Sequence, residues 1–336
     1  MLLRRVLRQE RRALGVLINA AHSSLDHDPV QGSGHGRLIS WLLAEEARGV
    51  QHVGDWERLK QELIDDVMVI GAGIRDHLDA LELCLTAEVP LQTSIVTLGR
   101  AIFEPTVRLC YLLDSTVPPV QHLLRAVAQW ADKFESTEKT VRTYDHDPDD
   151  LAAIVSRTDR MHKDLVTIGI TRVPNRRNPR LTAHVTLQGE VANVGFNVTD
   201  AAKRYVAGVD FAWSLLSGGA HSKSWYINSS YGFEGEDNSA ITKPEDTHSL
   251  VLLLLLSASD AFVDAVSLWT GLNPVPIHNK THLRRMAVSQ GMTTDVVSFK
   301  TYAEYCAVAE VGRPIARRRG SDVISEASAA VPLSAF

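Results

Sequence analysis

The segment that best suggests chemistry in this chain reads Phe211-Ala-Trp-Ser-Leu-Leu-Ser-Gly-Gly-Ala-His221. Its apolar periodicity predicts the last turns of an amphipathic helix, which Gly218-Gly219 would stop just before His221. The orphan carbonyls at a helix C-terminus favour a protonated imidazole, and the charge of histidine changes near neutral pH. We therefore predict His221 as an acid/base residue. The alternative is that it only satisfies the last carbonyls of the helix.

Polar and aromatic side chains surround His221 in the sequence. Ser217 and Lys223 place polar groups around the same turn, which predicts contacts with a substrate. The pair Trp225-Tyr226 could stack on a nucleic-acid base. Such a pair more often packs against neighbouring helices. The predicted substrate-binding residues are Ser217, Lys223, Trp225 and Tyr226.

A second group of polar residues falls on a helix predicted for residues 92–114. Their spacing of four, four and three residues places them on one narrow stripe: Arg100, Glu104, Arg108 and Tyr111. Apolar side chains fill much of the remaining circumference, so the stripe must face solvent or a polar cavity. One interpretation is a ladder of i,i+4 salt bridges. The other is a site to which Arg100, Glu104 and Arg108 contribute catalytic or phosphate-holding groups.

Metal and cofactor motifs are weak in this chain. Glu245-Asp-Thr-His248 matches the Glu-x-x-His motif of di-iron bundles, whereas Asp159-Arg-Met-His162 is only a near-match. Two such motifs are required, and Glu245 also fits as an ordinary acidic residue in the first turn of a helix. Neither a glycine-rich phosphate loop nor a Gly-x-Ser-x-Gly elbow is found. We expect no metal and no cofactor, and a metal-dependent oxidase is the least favoured function.

The composition is that of an ordinary globular protein and disfavours attraction by overall charge. The chain has 336 residues, 45% hydrophobic and 22% charged, with a formal net charge of −5. This charge argues against whole-protein attraction to nucleic acid or anionic lipid. Two local basic segments, Arg172–Arg180 and Arg313–Arg319, are the exceptions that could contact phosphate.

Three widely spaced cysteines and one short apolar run indicate the cellular compartment of the protein. Cys84, Cys110 and Cys306 lack Cys-x-x-Cys spacing, which is typical of reduced thiols in a cytoplasm. The run Leu250–Leu256 is too short for a spanning helix, which needs about 20 apolar residues. We therefore predict a cytoplasmic protein without a membrane partner.

Helical periodicity dominates the chain and predicts a mostly α fold. Long helices are expected at about 56–86, 92–114, 119–144, 148–168, 199–217 and 244–270, with a shorter one over 38–47. Residues 170–196 break the pattern and predict a short irregular or β insertion, with a strand over 184–187. The expected organisation is an N-terminal extension (1–54), a helical core (55–275), a C-terminal helical extension (276–316) and a disordered tail (317–336).

The stretch Trp213-Ser-Leu-Leu-Ser-Gly-Gly-Ala-His221 resembles a pattern of uncharacterised HEPN-like helical proteins of bacteria, especially actinobacteria. In those proteins it reads Tyr-Arg-x-x-Ser-Gly-x-Ala-His. The helix with Arg100 and Glu104, and the long helix before it, also look like theirs, so the resemblance spans roughly residues 56–270. It implies a multi-helix bundle that forms homodimers, and RNA or an antitoxin protein as a partner in a toxin or antiphage defence system.

One position of the HEPN signature differs in this chain. HEPN ribonucleases usually carry an arginine that four to six residues separate from the histidine; with His221 as that histidine and six residues between, the arginine position holds Ser214. A metal-independent endoribonuclease needs a general base and a cation, so Lys223, Arg100 or Arg108 would have to supply the cation through space. The resemblance therefore leaves two functions open. One is an RNA-cleaving or RNA-binding effector, and the other a non-catalytic module that dimerises or binds a partner.

Overall fold

A computed structural model describes residues 30–86, 92–144, 147–206, 217, 231–234, 239–242 and 244–271. This part of the chain is mostly helical, which confirms the expected fold class at that level. The helices are α1 (Gly34–Ala47), α2 (Val53–Thr86), α3 (Gln92–Leu112), α4 (Pro119–Tyr144), α5 (Pro148–Thr167), α6 (Val198–Tyr205) and α7 (Pro244–Thr270). The strands are β1 (Thr171–Pro174), β2 (Thr182–Leu187), β3 (Glu190–Asn193), β4 (Tyr231–Glu234) and β5 (Ser239–Thr242).

Side-chain caps fix where several helices begin. The Ser33 side chain accepts a hydrogen bond from the Gly36 amide (2.9 Å), so α1 starts before the apolar stripe that predicted a start at Leu38. Asp147 caps α5 in the same way and is followed by Pro148, as the sequence predicts. Gly271 follows the last residue of α7 with a φ of 72°, a conformation that favours glycine.

Helix α3 is the centre of the apolar core. It packs against both α2 and α7, and α4 contacts α1, α2 and α5. The largest fully buried side chains include Phe103 of α3 and Phe262 and Trp269 of α7. None of the described helices is long and apolar enough to cross a membrane.

A three-stranded antiparallel sheet in the order β1-β2-β3 occupies the segment where the helical pattern breaks. The expectation of a single strand over 184–187 is therefore corrected: β2 begins at Thr182 and pairs with β1 on one side and β3 on the other. Val185 and Leu187 of β2 are buried, and the strand packs on α4. The turn into β3 uses Gln188 and Gly189, both with positive φ, which matches a tight hairpin. Residues 231–234 and 239–242 pair as a second hairpin.

Gly34→Ala is expected to destabilise the fold, because this glycine lies against the core without room for a side chain. A Cβ at Gly34 would lie 2.8 Å from Trp269 Cε3 and 3.0 Å from Ser115 Cβ. Overpacking of this kind costs about 1–3 kcal/mol. Gly73→Ala is the matched control: a Cβ there meets nothing within 4 Å, and alanine in a helix interior stabilises by roughly 0.5–1 kcal/mol. Urea unfolding measures both, and a Gly34→Ala protein as stable as wild type would contradict the packing.

Candidate functional site

The polar stripe of α3 leads from an ion pair to an aromatic contact. Arg100 Nε lies 3.7 Å from Glu104 Oε2, and both side chains are partly exposed, so this step is an i,i+4 pair of the kind expected for a ladder. One turn later, the Arg108 guanidinium lies 4.7 Å from the centroid of the Phe196 ring. Phe196 belongs to the loop between β3 and α6. The stripe therefore ends against a different part of the fold, where a polar cluster begins.

Asp114 is the hub of that polar cluster, two residues after the end of α3. Its Oδ1 accepts hydrogen bonds from the backbone N (3.0 Å) and the hydroxyl (2.6 Å) of Thr116. Its Oδ2 accepts from Arg204 Nη2 at 2.8 Å and from the Tyr205 hydroxyl at 2.7 Å. Arg125 Nη1 lies 3.6 Å from the same oxygen. One carboxylate thus ties α3, α4 and α6 together.

The electrostatics of this hub favour an ionised carboxylate and neutral phenols. Burial alone would raise the pKa of Asp114, but hydrogen bonds from Thr116 and Tyr205, with the charge of Arg125, hold it below the usual value. Burial and the neighbouring Asp114 raise the pKa of Tyr205. Burial likewise raises the pKa of Tyr111. Both tyrosines therefore stay protonated at neutral pH and can donate hydrogen bonds.

Arg125 is held inside the protein by three groups. Its side chain is only 6% exposed, and its guanidinium lies 4.0 Å from the centroid of the Tyr111 ring. Arg125 Nη1 also donates to the backbone carbonyl of Tyr111. Together with Asp114, these contacts fix both the cation and the orientation of the ring.

A cavity of about 470 Å³ opens beside this hub, between the ends of α3 and α6, the start of α4 and β3. We call it the α3 cavity. Its aromatic lining residues are Tyr111, Phe196 and Tyr205, and its arginines are Arg125 and Arg204. The Tyr111 and Phe196 rings lie 5.4 Å apart and are tilted by 54°, so they form one continuous apolar wall.

Charges around the α3 cavity balance. The cations are Arg108, Arg125 and Arg204, and the carboxylates are Asp114, Glu190 and Asp200. Asp114 is buried and engaged, and Glu190 accepts a 2.8 Å hydrogen bond from Gln121 Nε2. Since the described residues provide no strong local excess of positive charge, short-range hydrogen bonds would hold an anionic ligand there.

The sequence predicted that Arg108 and Tyr111 share one stripe of α3, but it did not predict the hub at Asp114. Asp114 and Arg204 are 90 residues apart, and no spacing rule connects them. Arg125 did carry a signal, because it interrupts the apolar run Leu123-Leu-Arg-Ala-Val-Ala128. A charge inside an apolar helical face usually has a buried partner.

Most of the predicted residues around His221 lie outside the described residues. These are His221, Lys223, Trp225 and Tyr226, together with Ser214. Their roles stay predictions. Ser217 is described as helical and half-buried.

The other predicted sites are partly described. Within the described residues, no group of three or more His, Cys, Asp or Glu side chains could hold a metal ion. His162, of the metal near-match, is bonded to Glu135. Arg180, of the basic loop, is bonded to Glu138 through Nε at 2.7 Å and Nη2 at 3.0 Å.

Comparison with known proteins adds no relative: no family model, no curated protein and no solved structure matches the chain. The HEPN resemblance therefore rests on the residues quoted for it.

Proposed function

We propose that this protein binds single-stranded RNA, with an unpaired base in the α3 cavity and the adjoining phosphate at Arg204. The observation that carries the proposal is the pairing of an aromatic wall with an exposed, oriented guanidinium in one cavity. Sequence-tolerant binders of single strands combine these two elements, because every base has a π-face and every nucleotide a phosphate.

The aromatic wall offers a stacking surface for the base. Tyr111 and Phe196 are half-buried, so one part of each ring is fixed by packing and another part borders the cavity. Stacking of a base on an aromatic side chain contributes about 1–3 kcal/mol. Arg108 lies over the Phe196 ring and holds its orientation.

Arg204 supplies the phosphate contact. Its side chain is 55% exposed, and Nη2 is positioned by Asp114. Its Nε and Nη1 donate to no atom of the described residues, so they remain for a ligand. A guanidinium donates from three nitrogens, so Arg204 can contact Asp114 and a phosphate oxygen at the same time, whereas a lysine offers a single nitrogen. Arg125, by contrast, is engaged inside the protein and supports the wall.

We further propose that the bound RNA is cleaved without a metal, as the HEPN resemblance implies, with His221 as the acid/base residue. A base removes the proton of a 2′-hydroxyl, whose oxygen attacks the adjacent phosphorus while the 5′-oxygen leaves with a proton. The products are a 2′,3′-cyclic phosphate and a 5′-hydroxyl end. A cation near the phosphate stabilises the charge that develops. Lys223, Arg100 or Arg108 is the predicted source of that cation.

Binding of a fluorescently labelled eight-nucleotide RNA, followed by anisotropy, tests the proposal. Arg204→Gln removes the phosphate contact and leaves Asp114 with Thr116, Tyr205 and Arg125, so we expect about tenfold weaker binding. Phe196→Leu keeps the apolar volume but loses the π-face, and we expect a similar loss.

Arg58→Gln is the matched control, since Arg58 is 71% exposed on α2 and pairs only with Asp55 among the described residues. Its affinity should equal that of wild type. If Arg204→Gln and Phe196→Leu bind RNA as tightly as wild type and the control do, the α3 cavity is not the binding site.

A further inference from the structure

A second buried polar cluster joins α4, α5 and the sheet, and it is separate from the hub at Asp114. Its centre is Glu135 of α4, whose side chain is 4% exposed. The carboxylate accepts hydrogen bonds from His162 Nε2 at 2.9 Å, from the Thr182 amide at 2.7 Å and from the Thr182 hydroxyl. Arg172 Nε lies 3.9 Å away.

These contacts keep Glu135 ionised and fix the ring of His162. Burial would raise the pKa of Glu135, but hydrogen bonds from His162 and Thr182 hold it below the usual value. A carboxylate on one ring nitrogen sets the orientation of an imidazole and leaves the other nitrogen for a different partner. In His162 that other nitrogen is Nδ1.

Arg172 of β1 is held just as firmly. Its Nε donates to the Thr182 hydroxyl at 2.8 Å, and its Nη2 donates to the backbone carbonyls of Pro179 (2.9 Å) and Arg180 (2.7 Å). Its Nη1 donates to no atom of the described residues. The guanidinium is therefore oriented by the protein while one of its nitrogens remains for a ligand.

His162 and Arg172 line the same cavity, of about 440 Å³, between the end of α5 and the start of β1. The remaining lining residues are Val166, Gly169, Ile170 and Thr171, and none of them is charged. The nearby carboxylates Glu138 and Asp159 are paired with Arg180. Among the described residues, the cavity lining thus offers one fixed cation, one imidazole nitrogen and no carboxylate, while Glu135 contacts both side chains without lining the cavity.

We propose that this cavity is an oxyanion site that binds a phosphate group between Arg172 Nη1 and His162 Nδ1. The chemistry is shared by inorganic phosphate and by the phosphate of a nucleoside monophosphate. Arginine donates to the phosphate oxygens, and the imidazole either donates to a charged oxygen or accepts from a phosphate hydroxyl. The site is independent of the RNA-binding proposal, because it shares no residue with the α3 cavity.

Titrations with inorganic phosphate and with adenosine monophosphate test the site, read by thermal shift and by the imidazole resonances of His162 in ¹H–¹⁵N NMR. His162→Gln retains an amide that can donate to Glu135, and Arg172→Lys retains the charge. We expect about fivefold weaker binding for His162→Gln and about tenfold for Arg172→Lys. Arg176→Gln, exposed in the loop that follows β1, should bind both ligands as wild type does.

The stabilisation that the ligand adds is compared with each variant's own melting temperature, so a less stable variant still reports binding. A shift of the His162 resonances by phosphate alone identifies a free-phosphate site, and a shift by the monophosphate alone identifies a phosphate-ester site. If neither ligand shifts them, the proposal is overturned. An equal loss of binding in Arg176→Gln also overturns it, because that result places the phosphate elsewhere.

Discussion

Asp114→Ala is expected to lower the free energy of unfolding by about 3–5 kcal/mol, the usual cost of leaving one partner of a buried ion pair uncompensated. Arg125 would keep its charge at 6% side-chain exposure, with a tyrosine ring and a backbone carbonyl as its remaining partners. The Tyr205 hydroxyl would also lose its acceptor. Urea unfolding followed by circular dichroism measures the change.

Asp65→Ala is the control for this stability prediction. Asp65 is exposed on α2 and accepts only a 3.1 Å hydrogen bond from Gln61 among the described residues. Loss of this hydrogen bond should lower the free energy of unfolding by about 0.5 kcal/mol or less. A cost below about 1 kcal/mol for Asp114→Ala would mean that the hub does not hold α3, α4 and α6 together.

The hub at Asp114 also makes the free energy of unfolding depend on pH. Since the folded pKa of Asp114 is lowered, its contribution is fully present above the ordinary value of 3.8 and is lost as pH falls through the folded pKa. Glu135 and Glu138 have lowered pKa values as well and act with the same sign. The Asp114→Asn protein should therefore lose less stability than wild type when pH falls below about 4.

His221→Ala is expected to reduce RNA cleavage by at least about 100-fold, because a positioned acid/base residue contributes roughly 10²–10⁴-fold. Binding should change little, since the proposed binding groups lie in the α3 cavity. The measurement is the rate of 2′,3′-cyclic phosphate formation from a short single-stranded RNA by purified protein in the presence of a chelator.

His248→Ala serves as the control for this prediction, as it removes the histidine of the Glu-x-x-His motif. It should cleave at the wild-type rate. Equal cleavage by wild type and His221→Ala would remove the catalytic part of the proposal and leave RNA binding to stand on its own test. A rate that falls only in His248→Ala would assign the acid/base role to His248 and contradict the role of His221.

The helices could be predicted because their signals are local. Apolar spacing over more than twenty residues indicates α2 and α4, and Asp147-Pro148 marks the start of α5. The sheet was underestimated because β1 and β3 have four residues each, too few for alternation to be distinguished from chance. Their stability comes from pairing with β2, which no local pattern encodes.

The candidate sites were harder to predict because their partners are distant in the sequence. Glu135 meets Thr182 across 47 residues, and Asp114 meets Arg204 across 90. The stripe of α3 was predicted correctly as a face, since helical spacing fixes which residues share a side. What that face meets depends on the packing of α6, and that could be learned only from the fold.

Photo-cross-linking is the most direct test of RNA binding in the α3 cavity. A short RNA with 4-thiouridine at each position in turn would be irradiated with the protein, and the linked peptides mapped by mass spectrometry. We predict that the links concentrate on Tyr111, Phe196 and Tyr205, and that Phe196→Leu weakens them. Cross-links found only outside the α3 cavity, for example at the exposed Tyr144, would contradict RNA binding in this cavity.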